Sequence, residues 1–92
     1  MRIVLGERFQ SDIRALPETA REQVLGVMLD LPAAFRDPSR HSGLGLRKIH
    51  SSGVWEVRVG FGLRLVFLME RDAAPLVRAG THDDVRRFLK SL

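Results

Sequence analysis

The sequence predicts an α+β domain in which a helix hairpin packs on a four-stranded, mainly antiparallel sheet, in the order β-α-α-β-β-β-α. Three observations carry this reading. Two successive segments place apolar residues at helical spacing, with only Leu16-Pro17 between them. From Leu44 onward the apolar period shortens to two, the mark of strands. Finally, Gly60-Phe61-Gly62 joins two apolar runs as the loop of a hairpin would. A chain of 92 residues supports about one such two-layer domain, taken here as residues 1–92.

The elements follow in order. Arg2-Ile3-Val4-Leu5 is a short β segment. Phe9, Ile13 and Leu16 then recur at i, i+4 and i+7, one face of a helix. Pro17 ends that helix and suits the first turn of the next, where Glu18 and Glu22 favour the positive end of the dipole. Ala20, Val24, Val27, Met28 and Leu31 give the second helix its apolar stripe. Pro32 and the stretch 36–43 read as a loop. Leu46, Lys48 and His50 alternate with Arg47 and Ile49 before Ser51-Ser52-Gly53 turns the chain. Val54 to Val59 puts Trp55, Val57 and Val59 on one face, so Trp55 is expected in the core. Leu63 to Met69 is apolar on both faces, as a central strand is. Leu76 to Ala79 is the last strand. Thr81 then caps a terminal helix whose acids come first and bases last.

Composition narrows the function classes. There is no cysteine, so disulfides and thiolate zinc sites are excluded. No apolar run approaches the roughly 20 residues that span a bilayer. The first residues are too short a run, and too soon acidic at Glu7, for a signal peptide. A cytoplasmic protein without membrane partners is the expectation. The net charge of +4 lies entirely in residues 44–92, because residues 1–43 carry six Arg against six Asp and Glu. A basic half points to a polyanion or an acidic protein partner.

The hairpin sharpens that expectation. If its loop is symmetric about Phe61, Arg58 and Arg64 lie opposite each other. Opposed like charges cost roughly 0.2–1 kcal/mol, which a visiting anion offsets. Arg is also the side chain best shaped to grip a phosphate with two parallel hydrogen bonds.

Several residues together resemble the RelE/ParE superfamily of bacterial toxins. They are Leu46-Arg47-Lys48-Ile49, the hairpin Trp55-Glu56-Val57-Arg58-Val59-Gly60 with Leu63-Arg64-Leu65-Val66-Phe67, and the ending Arg78-Ala79-Gly80-Thr81-His82-Asp83-Asp84. The resemblance spans nearly the whole chain. Its Gly80-Thr81-His82 ending is most similar to the YafQ branch, whose members carry a catalytic histidine there. It implies the RelE-like fold, and a toxin of a type II toxin–antitoxin system acting as a metal-independent mRNA endoribonuclease at the ribosome. No cofactor is implied. The implied partners are a cognate antitoxin, mRNA and the ribosome, with higher-order toxin–antitoxin assembly. Two alternatives stay open: a ParE-like inhibitor of DNA gyrase without nuclease activity, and a catalytically degenerate module that only binds its antitoxin. The chain departs from RelE in having Glu56 and Arg58 where RelE has lysines, and Phe88 as the nearest match to a C-terminal tyrosine. It contains no tyrosine at all.

Metal-free RNA cleavage needs a base for the ribose 2′-OH, positive charge at the crowded phosphorus, and an acid for the departing 5′-oxygen. Arg58 and Arg64 are the candidate phosphate clamp. On the resemblance, His82 is the candidate acid, with Asp83 or Asp84 to orient its ring. His50 is a candidate base and Glu56 a weaker one, equally readable as an ion-pair partner of an arginine. Lys48, Arg47, Arg87 and Phe88 are candidate RNA contacts, though Phe88 suits helix packing equally well. His82, Asp83 and Asp84 with His41 or His50 have the donor chemistry for a metal, but no tight ligand spacing supports one.

Overall fold

A computed structural model describes residues 1–37 and 44–92. Five strands and three helices follow one another as β1 (Arg2–Leu5), α1 (Glu7–Ala15), α2 (Glu18–Arg36), β2 (Arg47–His50), β3 (Val54–Val59), β4 (Leu63–Leu68), β5 (Ala73–Thr81) and α3 (His82–Lys90). The sheet order is β1-β5-β4-β3-β2. β1 runs parallel to β5, and every other neighbouring pair is antiparallel.

The sheet therefore has five strands, not the four expected. The added one is β2, which pairs with β3 through Arg47↔Glu56 and Lys48↔Trp55. It is short and carries two exposed cations, as edge strands commonly do to block further pairing.

The second correction concerns Pro32. α2 runs through it to Arg36 instead of ending there. A proline inside a helix forfeits one backbone hydrogen bond and costs about 3 kcal/mol. Beyond it, however, the helix still buries Ala34 completely and sets the Phe35 ring edge-on to Phe67 at 5.6 Å. Burial of that last turn outweighs the missing bond. Of the expected loop, residues 38–43, including His41, lie outside the described residues.

The two sheet faces carry different work. One face, with Val57, Val59, Leu65, Phe67, Leu76 and Ala79, packs under α1 and α2, which contribute Phe9, Val24, Leu31 and Ala34. Trp55 packs against this cluster, as its parity requires. On the other face a smaller cluster of Val54, Val66 and Val85 gathers Phe88 and Leu89 of α3. Asp12 of α1 fastens the helix layer to β5. It accepts from Arg78 Nε at 2.8 Å, Arg78 Nη2 at 3.2 Å and the Ala79 backbone N–H at 2.9 Å. Because α3 covers only part of its face, the stretch over β2, β3 and the start of β4 stays open.

The start of α3 is fixed by a capping box. The Thr81 hydroxyl accepts from the Asp84 N–H, and the Asp84 carboxylate accepts from the Thr81 N–H at 2.9 Å. The Thr81 backbone bond, then the Thr81 side chain, hold the Asp84 carboxyl below its ordinary range, with Arg87 adding to the effect against a small burial penalty. A depressed folded-state pKa stabilises above the unfolded value and is lost as pH falls through the folded one. The melting temperature should therefore drop on acidification below about pH 4, and Asp84→Asn should flatten that part of the profile. Thr81→Ala should cost about 1 kcal/mol at neutral pH, a loss of roughly 4–8 °C by calorimetry.

Candidate functional site

The open stretch of the second face holds an anion-shaped cavity. β3 and β4 pair with Arg58 directly opposite Arg64 and Val59 opposite Leu63, so the hairpin is symmetric about Phe61. Gly60 sits at φ +60°, the left-handed conformation a tight hairpin demands. One strand further, Arg64 faces Gly80 of β5. Alternation puts Glu56 on the same face as Arg58, and β2 places Arg47 opposite Glu56. Arg47, Glu56, Arg58 and Arg64, with Gly45 and Leu46, line a cavity of about 330 Å³.

Its electrostatics follow from one buried carboxylate among three guanidiniums. Glu56 is only 3% exposed. Arg64 Nε stands 3.0 Å from Glu56 Oε2, and Arg47 Nη2 stands 3.6 Å from Oε1. Arg64 Nη1 donates to the Leu63 carbonyl at 3.2 Å. The Arg64 Nε–H is buried and has no acceptor along its axis, although the Glu56 oxygen is within ion-pair distance. Arg58 is exposed and, among the described residues, carries no ion pair. The cavity thus keeps a surplus of positive charge.

Gly45 completes the wall. It adopts φ +70°, and a Cβ added there would fall directly on the Arg58 Nε. The left-handed φ favours glycine there, and the missing Cβ lets the Arg58 guanidinium lie against the backbone. Nothing in the sequence reading pointed to it. The small residue between Leu44 and Leu46 was the available sign. Glu56 was underrated for a related reason: parity disclosed its face, but not its burial at the middle of the cluster.

The remaining candidates do not line this cavity. Lys48 is exposed on the edge strand, but it pairs with Trp55 and so belongs to the helix-covered face, away from the cavity where an RNA contact was expected. His50 ends that strand, where the Ser52 backbone N–H donates to its Nδ1 at 3.1 Å and the Ser52 hydroxyl lies 2.6 Å away. That bond makes Nδ1 the acceptor and leaves the proton on Nε2 when the ring is neutral. His82 is the first residue of α3 and exposed, two residues past the Gly80 that faces Arg64. Asp84 is committed to the capping box and to Arg87. Phe88 packs on the smaller apolar cluster. Among the described residues no group of three or more His, Asp or Glu is placed to hold a metal ion, and no helix is long and apolar enough to cross a membrane.

No family model matches the chain, and no curated protein matches it. Solved structures do. A chain of the archaeal RelE–RelB complex from Pyrococcus horikoshii superposes with a TM-score of 0.66 at 12% identity, over 87% of this chain and 92% of that one. The protein has the RelE/ParE/YafQ-like toxin fold. YafQ from E. coli matches with a TM-score of 0.64 at 16% identity, over 92% of this chain and 98% of that one. The YoeB/ParE toxin from Agrobacterium tumefaciens gives 0.65 at 19%, over 89% and 99%. At these identities the likeness is one of fold. Within this RelE-like fold, the arginine cavity occupies the sheet face that α3 leaves uncovered.

Proposed function

We propose that this protein is the toxin of a type II toxin–antitoxin pair and cuts mRNA at the ribosome by attack of a ribose 2′-OH on the adjacent phosphate. The observation that supports this reading most is the cavity in which Arg58 and Arg64 face each other beside buried Glu56. Arg58, free of ion pairs among the described residues, grips a non-bridging phosphate oxygen. Arg64 supplies charge where negative charge grows at phosphorus. Glu56 orients Arg64 and is, among the described residues, the only carboxylate lining the cavity, so it accepts the 2′-OH proton. The bond from 2′-oxygen to phosphorus forms as the bond to the 5′-oxygen breaks. That oxygen takes a proton from His82 at the start of α3, two residues past the Gly80 that faces Arg64. The products are a 2′,3′-cyclic phosphate and a 5′-hydroxyl. Arg47, on the edge strand and in the cavity wall, attracts the flanking RNA backbone, and Arg87 does so from α3. A cognate antitoxin is the expected partner, since the RelE-like fold occurs in a RelE–RelB complex. An acidic antitoxin segment would neutralise this cavity by covering it.

A second reading, a toxin that binds a protein target without cutting RNA, is favoured by one observation: His82 does not line the cavity. Ribosomes programmed with an mRNA decide between them. The nuclease yields cyclic-phosphate ends, and His82→Gln lowers the rate by roughly 10²–10⁴-fold at an unchanged melting temperature. Growth inhibition without cleavage, or full activity of His82→Gln, would favour the inhibitor or move the acid role to another group.

A further inference from the structure

The tip of the β3–β4 hairpin presents a large apolar side chain to water with nothing over it. Phe61 is fully exposed, at 109% of the reference area, in a protein that buries Phe9 and Phe67 completely. The turn does not ask for it. Gly60 supplies the left-handed residue, and phenylalanine has no turn preference of its own. Gly62 adds no side chain that might cover the ring, and even a Cβ there would meet nothing within 4 Å. Folding therefore has no use for an aromatic at this position.

Its location does suggest one. Phe61 lies three residues from Arg58 and three from Arg64 on the same hairpin, so its backbone stands roughly 10 Å along the strands from theirs. That is the reach of a neighbouring nucleotide along an extended strand. An exposed ring beside a cationic site is how single-stranded nucleic acids are held without reading sequence: phosphates meet the charges, and a base stacks on the ring. A pocket on a protein partner would instead ask for apolar neighbours around Phe61, and its flanking residues are glycines.

We propose that Phe61 is a stacking platform for a nucleobase next to the phosphate held by Arg58 and Arg64. This rests on the RNA-cleaving reading and adds to it a residue outside the cavity. Phe61 sets how the strand enters, with little preference among bases, because every base has a π face.

Binding of a 2′-O-methyl oligoadenylate, which cannot be cut, tests this at low salt against an abasic phosphodiester oligomer of equal length. Phe61→Leu should weaken oligoadenylate binding about tenfold and leave abasic binding unchanged. Phe61→Trp should gain an emission that oligoadenylate quenches and the abasic oligomer does not, over the Trp55 signal of the parent. Arg58→Ala should weaken binding of both oligomers. If Phe61→Leu binds oligoadenylate as the parent does while Arg58→Ala does not, stacking is overturned and the RNA site stands. If neither substitution matters, or the parent binds neither oligomer, both fall. Unchanged RNA binding by Phe61→Leu with loss of growth inhibition assigns the tip to a protein target and overturns the proposal as well.

Discussion

Arg58→Ala will, on the RNA-cleaving proposal, lower mRNA cleavage by roughly 10²–10³-fold, the usual loss when one preplaced donor to a developing oxyanion is removed, and will leave the melting temperature unchanged or slightly higher. Both halves follow from the same geometry. Arg58 is exposed, opposes Arg64 and carries no ion pair among the described residues. Its removal relieves like-charge opposition worth roughly 0.2–1 kcal/mol and leaves no buried partner stranded. Arg64 does not offer so clean a test. Its loss would leave Glu56, 3% exposed, with only Arg47 at 3.6 Å, so activity and stability would fall together. Arg58→Lys should recover part of the rate, because it restores the charge without the two-pronged grip. Programmed-ribosome cleavage measured beside calorimetry checks the prediction. Wild-type cleavage by Arg58→Ala would remove the phosphate role from this hairpin.

What the sequence disclosed depended on whether the determining forces were local. The hairpin was legible because Gly60 marks the turn and alternation assigns faces, and the register of Arg58 against Arg64 then follows from loop symmetry alone. The alternation in Arg47–His50 and the Ser51-Ser52-Gly53 turn were equally visible, but the irregular register between Lys48 and His50, which decides the faces of the last residues of β2, was not. Pro32 shows the opposite failure. The local rule ends the helix there, and burial of Ala34 and Phe35 against the sheet continues it. The site divides in the same way. Two arginines on one hairpin can be paired on paper. Gly45 meets Arg58 because the β2–β3 register, Arg47 against Glu56, continues two residues before β2, and that register has to be known first. His82 follows a strand in sequence, yet it enters a helix whose first turn the Thr81–Asp84 box fixes. Its distance from the cavity is set by that helix start and not by strand spacing.

Phe67→Ala should cost about 3–5 kcal/mol, among the largest losses a single truncation brings. Phe67 is wholly buried in β4, with Trp55 opposite it on β3 and Leu76 on β5, and its ring meets Phe35 of α2 at 67°. It therefore holds both sheet neighbours and the far turn of α2, the turn that continues past Pro32. Without the ring, that turn loses the contact that offsets the proline's missing bond. A loss of this size is a large share of the roughly 5–15 kcal/mol that holds a small domain together. At about 4–8 °C per kcal/mol for a domain of this length, the melting point should fall by on the order of 20 °C. Phe67→Leu, which keeps most of the volume, should lose far less. Phe67 and Arg64 project from opposite faces of β4, so cleavage per folded molecule, measured well below the lowered melting point, should stay near that of the parent. Arg58→Ala shows the reverse pattern, intact folding with lost chemistry. A Phe67→Ala protein that melts like the parent would mean that α2 does not press on the sheet at Phe35, and that something other than this contact carries the helix through Pro32.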